Sequence, residues 1–485
     1  MGFMAYDLTF LVVFCILLFI FLYRKRQNLK REGIIYLYKT SIGLKIMDYI
    51  GKKYKNTLNI LQYVSISCGY ILMVSMTYYL FKLVYIFAKY PEVVKAIKVP
   101  PLMPLIPYLP SIFKLDFLPP FYFTYWIIVI AIIAVGHEFA HGIFARFYNI
   151  RVKSTGFGFL GPFLAAFVEP DEKQMKKKGI KAQLSILSAG TFANILLTLI
   201  FLIIFALFFK LAFVPSGVIF STYTYTVISP LEISKIGNFS LDALNDEKKL
   251  LFLNNFPAEK NNEKTLSFNG KNFTLIRIKA GEKFFLLEAS TLKNLSQEII
   301  VFIDAPAINS GLRGVITEFN NIQIKRYNDF KKEIEKYKPG EKVIIKTLYK
   351  NKEETYEIIL IENPQDKGKP YLGIGISQVK PSGLLKQVYS LILFFKDPSV
   401  YYKPKIDGLT IFIYNLLWWI VLINFSVALV NMLPLGLFDG GRFFYLTILG
   451  ITRSENIAKK AFKLMTFLLL FLLFLSMAFW FIGIR

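Results

Sequence analysis

The chain has two histidines, and both fall within the stretch AIIAVGHEFAHGIFARF, residues 131–147, as His137 and His141. Four helical residues advance about 6 Å and turn roughly 400°, so the two imidazoles lie on one face, one turn apart. Two imidazoles so spaced can hold one metal ion, and Glu138 stands beside them as a base. HExxH on a helix is the pattern in which histidines bind zinc and the glutamate takes a proton from water. A chance match is the alternative. It is opposed by two facts: ionisable groups in an apolar helix cost several kcal/mol and default to function, and the chain uses histidine nowhere else.

A catalytic zinc needs three protein ligands and one open position. With no third histidine, the remaining ligand must be Asp, Glu or Cys. Cys15 and Cys68 lie in hydrophobic runs with no ligand spacing between them. The best candidate is Asp439, in NMLPLGLFDGGRFF, where Pro434 ends or kinks a helix and Gly440-Gly441 permits a tight turn. A solvated loop aspartate is the plainer alternative.

The elements that must position these residues are membrane-spanning in character. The chain is 54% hydrophobic and 16% aromatic, with 48 phenylalanines, well above a soluble domain. Apolar runs at 6–23, 61–88, 120–146, 183–213, 411–433 and 462–482 have the roughly 20-residue length that crosses a bilayer core. The first is followed at once by Arg24-Lys25-Arg26 and lacks a small-residue cleavage site, so it reads as a retained helix. A net charge of +25 then belongs to basic loops at an anionic leaflet rather than to nucleic-acid binding.

Residues 24–60 carry ten Lys or Arg, and residues 1–5 carry none. The positive-inside rule puts the N-terminus outside and 24–60 in the cytoplasm. Counting onward places 147–182 and 434–461 inside and 214–410 outside. His137 and Asp439 thus reach the same cytoplasmic-side depth by independent counts. His137 lies sixteen residues beyond Phe121, or about 24 Å from the outer face. Segment EGIIYLYKTSIGLKIMDYIGKKYKN mixes Lys with apolar residues at roughly helical spacing, as in a helix lying on the membrane surface. Loop RVKSTGFGFLGPFLAAFVEP offers strand-like runs around Gly161-Pro162 and reads as a hairpin whose edge can pair with an extended substrate; a plain re-entrant loop is the alternative.

The exterior segment departs from this pattern. EKVIIKTLYK and ETYEIILIE alternate with period two, as half-buried strands do, and RYNDFKKEIEKY reads as a helix with Phe330, Ile334 and Tyr337 on one face. From 299 to 376 the order of elements resembles a PDZ domain in permuted form, carried by Ala305-Pro306-Ala307, Gly311-Leu312, Gly314-Val315-Ile316, Asn320-Asn321, Asp329-Phe330 and Pro339-Gly340. Sequons at Asn238, Asn272 and Asn294 fit an exterior location. Residues 214–298 read as strands around a polar insertion.

HEFAH, together with SAGTFAN at 188–194 and NMLPLGLFDG at 431–440, resembles the site-2 protease family of intramembrane zinc metalloproteases. LAAFVEPDEKQM also resembles the family segment that follows a membrane-embedded hairpin. The resemblance implies zinc, one per chain, on His137, His141 and Asp439, with Glu138 activating water. It aligns Asn194 with a family asparagine that contacts the substrate or the developing oxyanion. The family writes Leu or Ile where this chain has Phe438.

The expectation is a polytopic helical membrane protein of about six spans with an inserted PDZ-like α+β domain. Its organisation is 1–60, first span and basic segment; 61–213, spans with HExxH and the hairpin; 214–400, exterior region; 401–485, spans with the Asp-Gly motif. The expected substrates are single-pass membrane proteins in the bilayer, not nucleic acid. A catalytically silent scaffold and a zinc transporter are the alternatives. A scaffold would show a broken motif, and a transporter would need several ligand clusters along a path.

Overall fold

The computed structural model describes residues 3–33, 35–91, 94, 100–101, 103–115, 118–160, 163–257, 264–268, 271–375 and 394–484. The tip of the hairpin, Gly161-Pro162, and the end of the PDZ-like stretch at 376 lie outside the described residues. The chain forms two compact units, residues 1–208 with 408–485, and residues 209–407.

The first unit is helical. Among the described residues, six helices are long and apolar enough to cross a membrane. They are α1 (Phe3–Arg24), α3 (Lys55–Lys89), α4 (Phe123–Phe147), α5 (Ile180–Ala212), α6 (Leu409–Asn431) and α8 (Glu455–Ile484), with shorter helices among them that include α2 (Leu44–Lys53) and α7 (Asp439–Thr452). All six expected spans are present. Between apolar helices in lipid the hydrophobic effect supplies little, so small residues that allow close approach and buried hydroxyl pairs hold the bundle. Ala145 and Ala189 are fully buried, and Ser65 and Ser188 share a hydrogen bond of 2.7 Å that ties α3 to α5.

Two features of this unit were not legible in the apolar pattern. The segment after α1 is only partly helical: Leu29–Glu32 (β1) and Ile35–Thr40 (β2) are strands, and only α2 is the amphipathic helix. β2 pairs with Val152–Leu160 (β3), and β3 with Phe163–Pro170 (β4), giving an antiparallel sheet ordered β1-β2-β3-β4. Long-range pairing with β3 overrides a local pattern that fits a helix equally well. Lys39 on β2 and Ser154 on β3 both bond Glu169 on β4, at 2.5 and 2.7 Å. The ammonium, and then the hydroxyl, hold that carboxyl below its ordinary range.

The second feature is Asp7, inside the first apolar run yet only 1% exposed. Its carboxyl oxygens accept from the backbone N–H of Phe123 (2.8 Å) and of Thr124 (2.9 Å), and from the hydroxyls of Thr124 and Tyr108. The first N–H groups of a helix have no partner within it. Asp7 therefore caps, from another helix, the one that carries both histidines.

The second unit, residues 209–407, is an inserted β-rich domain with two cores. One sheet runs Lys352–Ile359, Lys342–Tyr349, Val315–Phe319, Phe213–Ile219, Val400–Pro404 in spatial order. Its core holds Val218, Ile316, Phe319, Phe330 and Ile345, with Ile334 and Tyr337 packed against it, so the expected helix face turns inward. Asn320 and Asn321 both have positive φ, 45° and 65°, the conformation of a tight two-residue hairpin turn. The other sheet contains Tyr225–Ile228, Ile299–Ile303, Lys283–Glu288, Lys271–Ala280 and Ile233–Ile236 in spatial order, over a core of Ile233, Ile236, Ile276, Ile278, Leu287 and Val301. Ile299–Ile303 thus belongs to this sheet, and Phe213–Ile219 supplies the neighbour of Val315–Phe319.

Substituting Asp7→Ala strands the capped N–H groups in an apolar setting, a loss of about 2–5 kcal/mol. The purified protein is expected to unfold at a clearly lower temperature than wild type, with Asp7→Asn in between. An unchanged melting temperature for Asp7→Ala contradicts the capping role.

Candidate metal centre

His137, His141 and Asp439 converge. Each offers one ligand atom, and these lie within 4.8 Å of one another. His137 Nε2 and His141 Nε2 are 3.0 Å apart, and Asp439 Oδ2 is 3.2 Å from the first and 3.3 Å from the second. A tetrahedral zinc with bonds of about 2.0–2.2 Å sets its ligand atoms roughly 3.3–3.6 Å apart. The three atoms come within a few tenths of an ångström of that spacing, arranged as one face of such a site.

The tautomer of one imidazole is fixed by its other nitrogen. His141 Nδ1 lies 2.7 Å from the Ile186 carbonyl. A carbonyl only accepts, so Nδ1 carries the proton and Nε2 presents a lone pair to the site. His137 Nδ1 lies 3.1 Å from the side-chain amide of Asn194 on α5. Asn194 is fully buried and so enters the site through His137.

Space for an ion comes from Gly190, on α5 opposite the histidines. A Cβ there would lie 2.4 Å from His141 Nε2 and 2.6 Å from His137 Nε2. Only glycine leaves that side of the imidazoles open. Three converging acceptor atoms, a fixed lone pair and an open flank together fit a divalent cation.

Asp439 arrives by a route that differs from the expected place at the end of the fifth span. It is the first residue of α7, which follows a turn after α6, rather than lying in a turn at the end of α6. Gly440 and Gly441 do not make that turn. They sit in the first turn of α7, where added Cβ atoms would lie 2.3 Å from the Met432 carbonyl oxygen and 2.2 Å from that of Leu435. They let α7 start hard against the chain that precedes it. Further along α7, Phe443 is fully buried; its ring packs edge-on to Tyr70 of α3 at 4.8 Å. Tyr70 also bonds Thr447 at 3.0 Å. Those contacts fix where α7 begins and hence where the Asp439 carboxylate points.

Glu138 lies next to His137 on α4. Its Oε2 accepts from the backbone N–H of Val168 at 2.8 Å. Val168 is on β4, an edge strand of the four-stranded sheet. The hairpin therefore touches the acid that the motif supplies. That contact, and the amide at His137, were not derivable from spacing. The resemblance carried by SAGTFAN points to Asn194, but to a contact with substrate or oxyanion rather than with His137.

Comparison with known proteins accords with this geometry. Residues 125–475 match peptidase family M50, a span that begins in α4 and ends in α8. The chain belongs to peptidase family M50, a family of metallopeptidases, and is a multi-pass membrane protein. It is also 31% identical over 199 residues to an uncharacterized protein, MJ0971, of Methanocaldococcus jannaschii, a match covering 39% of this chain and 48% of that protein. The chain spans about half the length of that curated relative.

Replacing Gly190 with alanine puts a methyl group between two anchored imidazoles, at an overpacking cost of about 1–3 kcal/mol. Metal affinity, read by chelator competition on the purified protein, is expected to fall about tenfold or more. Wild-type affinity in Gly190→Ala would mean that the rings can step aside and that Gly190 is not what keeps the site open.

Proposed function

We propose that this protein is a zinc endopeptidase of the site-2 type, which cuts peptide bonds within or near the transmembrane segments of single-pass membrane proteins. The observation that carries the proposal is the convergence of His137, His141 and Asp439 beside Glu138, in a chain of family M50.

In this reading the two histidines and Asp439 hold one zinc, leaving a position for water. Bound zinc supplies Lewis acidity, which makes water a usable nucleophile near neutral pH and polarises the scissile carbonyl. The chain's own residues do the rest. Val168 N–H holds Glu138 Oε2 and so sets the rotation of the carboxylate. Glu138 takes a proton from the attacking water and delivers it to the departing amide nitrogen as the C–N bond breaks. Asp439 neutralises part of the cation's charge, and the Ile186 carbonyl holds the His141 ring in its working tautomer.

A helical substrate shields its amides and must extend before it is cut. β4 has a strand partner on one side only, so an extended segment could add along its other side, beyond the Val168 N–H that Glu138 occupies, the mode of strand addition. The β4 contact at Glu138 supports this, because a strand added there would run beside the acid. On the topology counted from basic loops, the centre lies near the cytoplasmic side and the inserted domain is exterior. That domain then limits which substrates enter and contributes no catalytic group. Replacing residues 218–395 with a flexible linker would raise cleavage of substrates with bulky exterior parts if it acts as a filter, and abolish all cleavage if it is a required dock.

The test is the pair Glu138→Gln and Asp439→Asn, assayed for zinc content and for cleavage of a model single-pass substrate in detergent or bilayers. Glu138→Gln is expected to keep about one zinc per chain and to lose cleavage by at least a hundredfold, since an amide cannot take the proton. Asp439→Asn is expected to lose zinc as well, because a neutral amide is a poor ligand. His137→Ala is expected to lose most metal and all activity. Full proteolysis in His137→Ala would sink the assignment; unchanged zinc and rate in Asp439→Asn would mean a different third ligand.

A further inference from the structure

We infer that Asn194 is a positioning residue for the metal ligand His137, and that it does not contact the substrate or an oxyanion. The inference rests on the zinc reading above and goes beyond it in assigning what selects and holds the lone pair of His137.

The geometry starts from an imbalance. Asn194 is fully buried on α5. One end of its amide, Nδ2, lies 3.1 Å from His137 Nδ1. The other end, Oδ1, has no hydrogen-bond partner among the described residues. A buried acceptor left unpaired costs about 1–3 kcal/mol. The two ends of a side-chain amide occupy nearly the same space, so hydrogen bonding decides which faces where.

Consider both arrangements. With Nδ2 toward the ring, the amide donates to Nδ1, and the neutral ring carries its proton on Nε2. That proton points at Asp439 Oδ2, 3.2 Å away, and blocks ligation. With the amide turned by 180°, Oδ1 accepts from Nδ1–H. The ring proton then faces α5, Nε2 presents its lone pair toward His141 and Asp439, and the orphaned oxygen gains a partner.

The second arrangement repeats what is already built at the neighbouring ring. His141 Nδ1–H donates to the Ile186 carbonyl, also on α5, at 2.7 Å. One helix thus supplies both outer acceptors, at positions 186 and 194. Gly190, midway between them, opens the space that both Nε2 atoms face. Residues four apart share a helix face, so Ile186, Gly190 and Asn194 form a single stripe: acceptor, gap, acceptor. A residue buried behind a ligand and bonded to its far nitrogen is badly placed to meet a substrate carbonyl on the near side.

The two roles diverge on replacing Asn194 with aspartate. A carboxylate accepts from Nδ1–H at least as well as an amide oxygen does, but it has no N–H to give an oxyanion. The experiment uses the full-length protein and measures three things on Asn194→Asp and Asn194→Leu. These are zinc affinity by chelator competition, the visible spectrum of the cobalt-substituted protein, and kcat and KM on a single-pass substrate.

A positioning role is expected to leave Asn194→Asp with wild-type or tighter zinc affinity and kcat within about threefold. Asn194→Leu should bind zinc about 10–100-fold more weakly, the usual effect of losing such a partner, with an altered cobalt spectrum. The opposite pattern overturns the proposal: wild-type zinc affinity and cobalt spectrum in Asn194→Leu, with kcat lost equally in both variants and KM unchanged. If Asn194→Leu does not fold, Asn194→Ala takes its place in the metal measurements. Absence of zinc from the wild type would defeat the metal reading itself, which is a separate outcome from unaltered zinc binding in the variants.

Discussion

Three acceptor atoms held within 3.0–3.3 Å of one another repel unless something positive lies between them. That constraint governs the first unit. Lone pairs and a carboxylate buried in an apolar bundle are tolerated only when paired or bound to a cation. The bundle must therefore resist the rings and the carboxylate drifting apart, and its contacts accomplish this. Asp7 caps the helix that carries the histidines, the Ile186 carbonyl pins one ring, and Phe443 with Thr447 anchors the helix that begins at Asp439. Each of these costs the bundle a buried polar group or a tightly fitted one. Together they make the site a rigid feature of the scaffold, not a property of loops.

Legibility in the sequence followed the range of the interaction. The histidine pair needed only helical periodicity, which is local, and the six spans needed only length and apolarity. Asp439 was readable as a candidate, through elimination of residue types together with the Asp-Gly motif, but its setting was not. Gly440-Gly441 looks like a turn in one dimension and proves to be a site of close backbone approach. β1 and β2 were hidden because Lys mixed with apolar residues fits a surface helix as well as a strand, and only pairing with β3 decides. Asp7 offered the clearest missed signal, an acid inside an apolar run, which in a membrane setting calls for a partner. Its partners lie more than a hundred residues away, so no local pattern could name them.

The inserted domain raises a different kind of question. It folds around its own two cores, and helices of the first unit flank it in sequence on both sides. Membership in a metallopeptidase family accords with the cluster that α4 and α7 bring together, and the inserted domain contributes none of its three residues.

The central claim is that two imidazole nitrogens and one carboxylate oxygen hold a single zinc ion. X-ray absorption at the zinc edge, on the purified full-length protein, reads the ligand atoms directly. The account expects one zinc per chain, with only nitrogen and oxygen neighbours at about 2.0–2.2 Å. A protein that takes up no zinc, or a sulfur neighbour at about 2.3 Å that would implicate a cysteine, would contradict it.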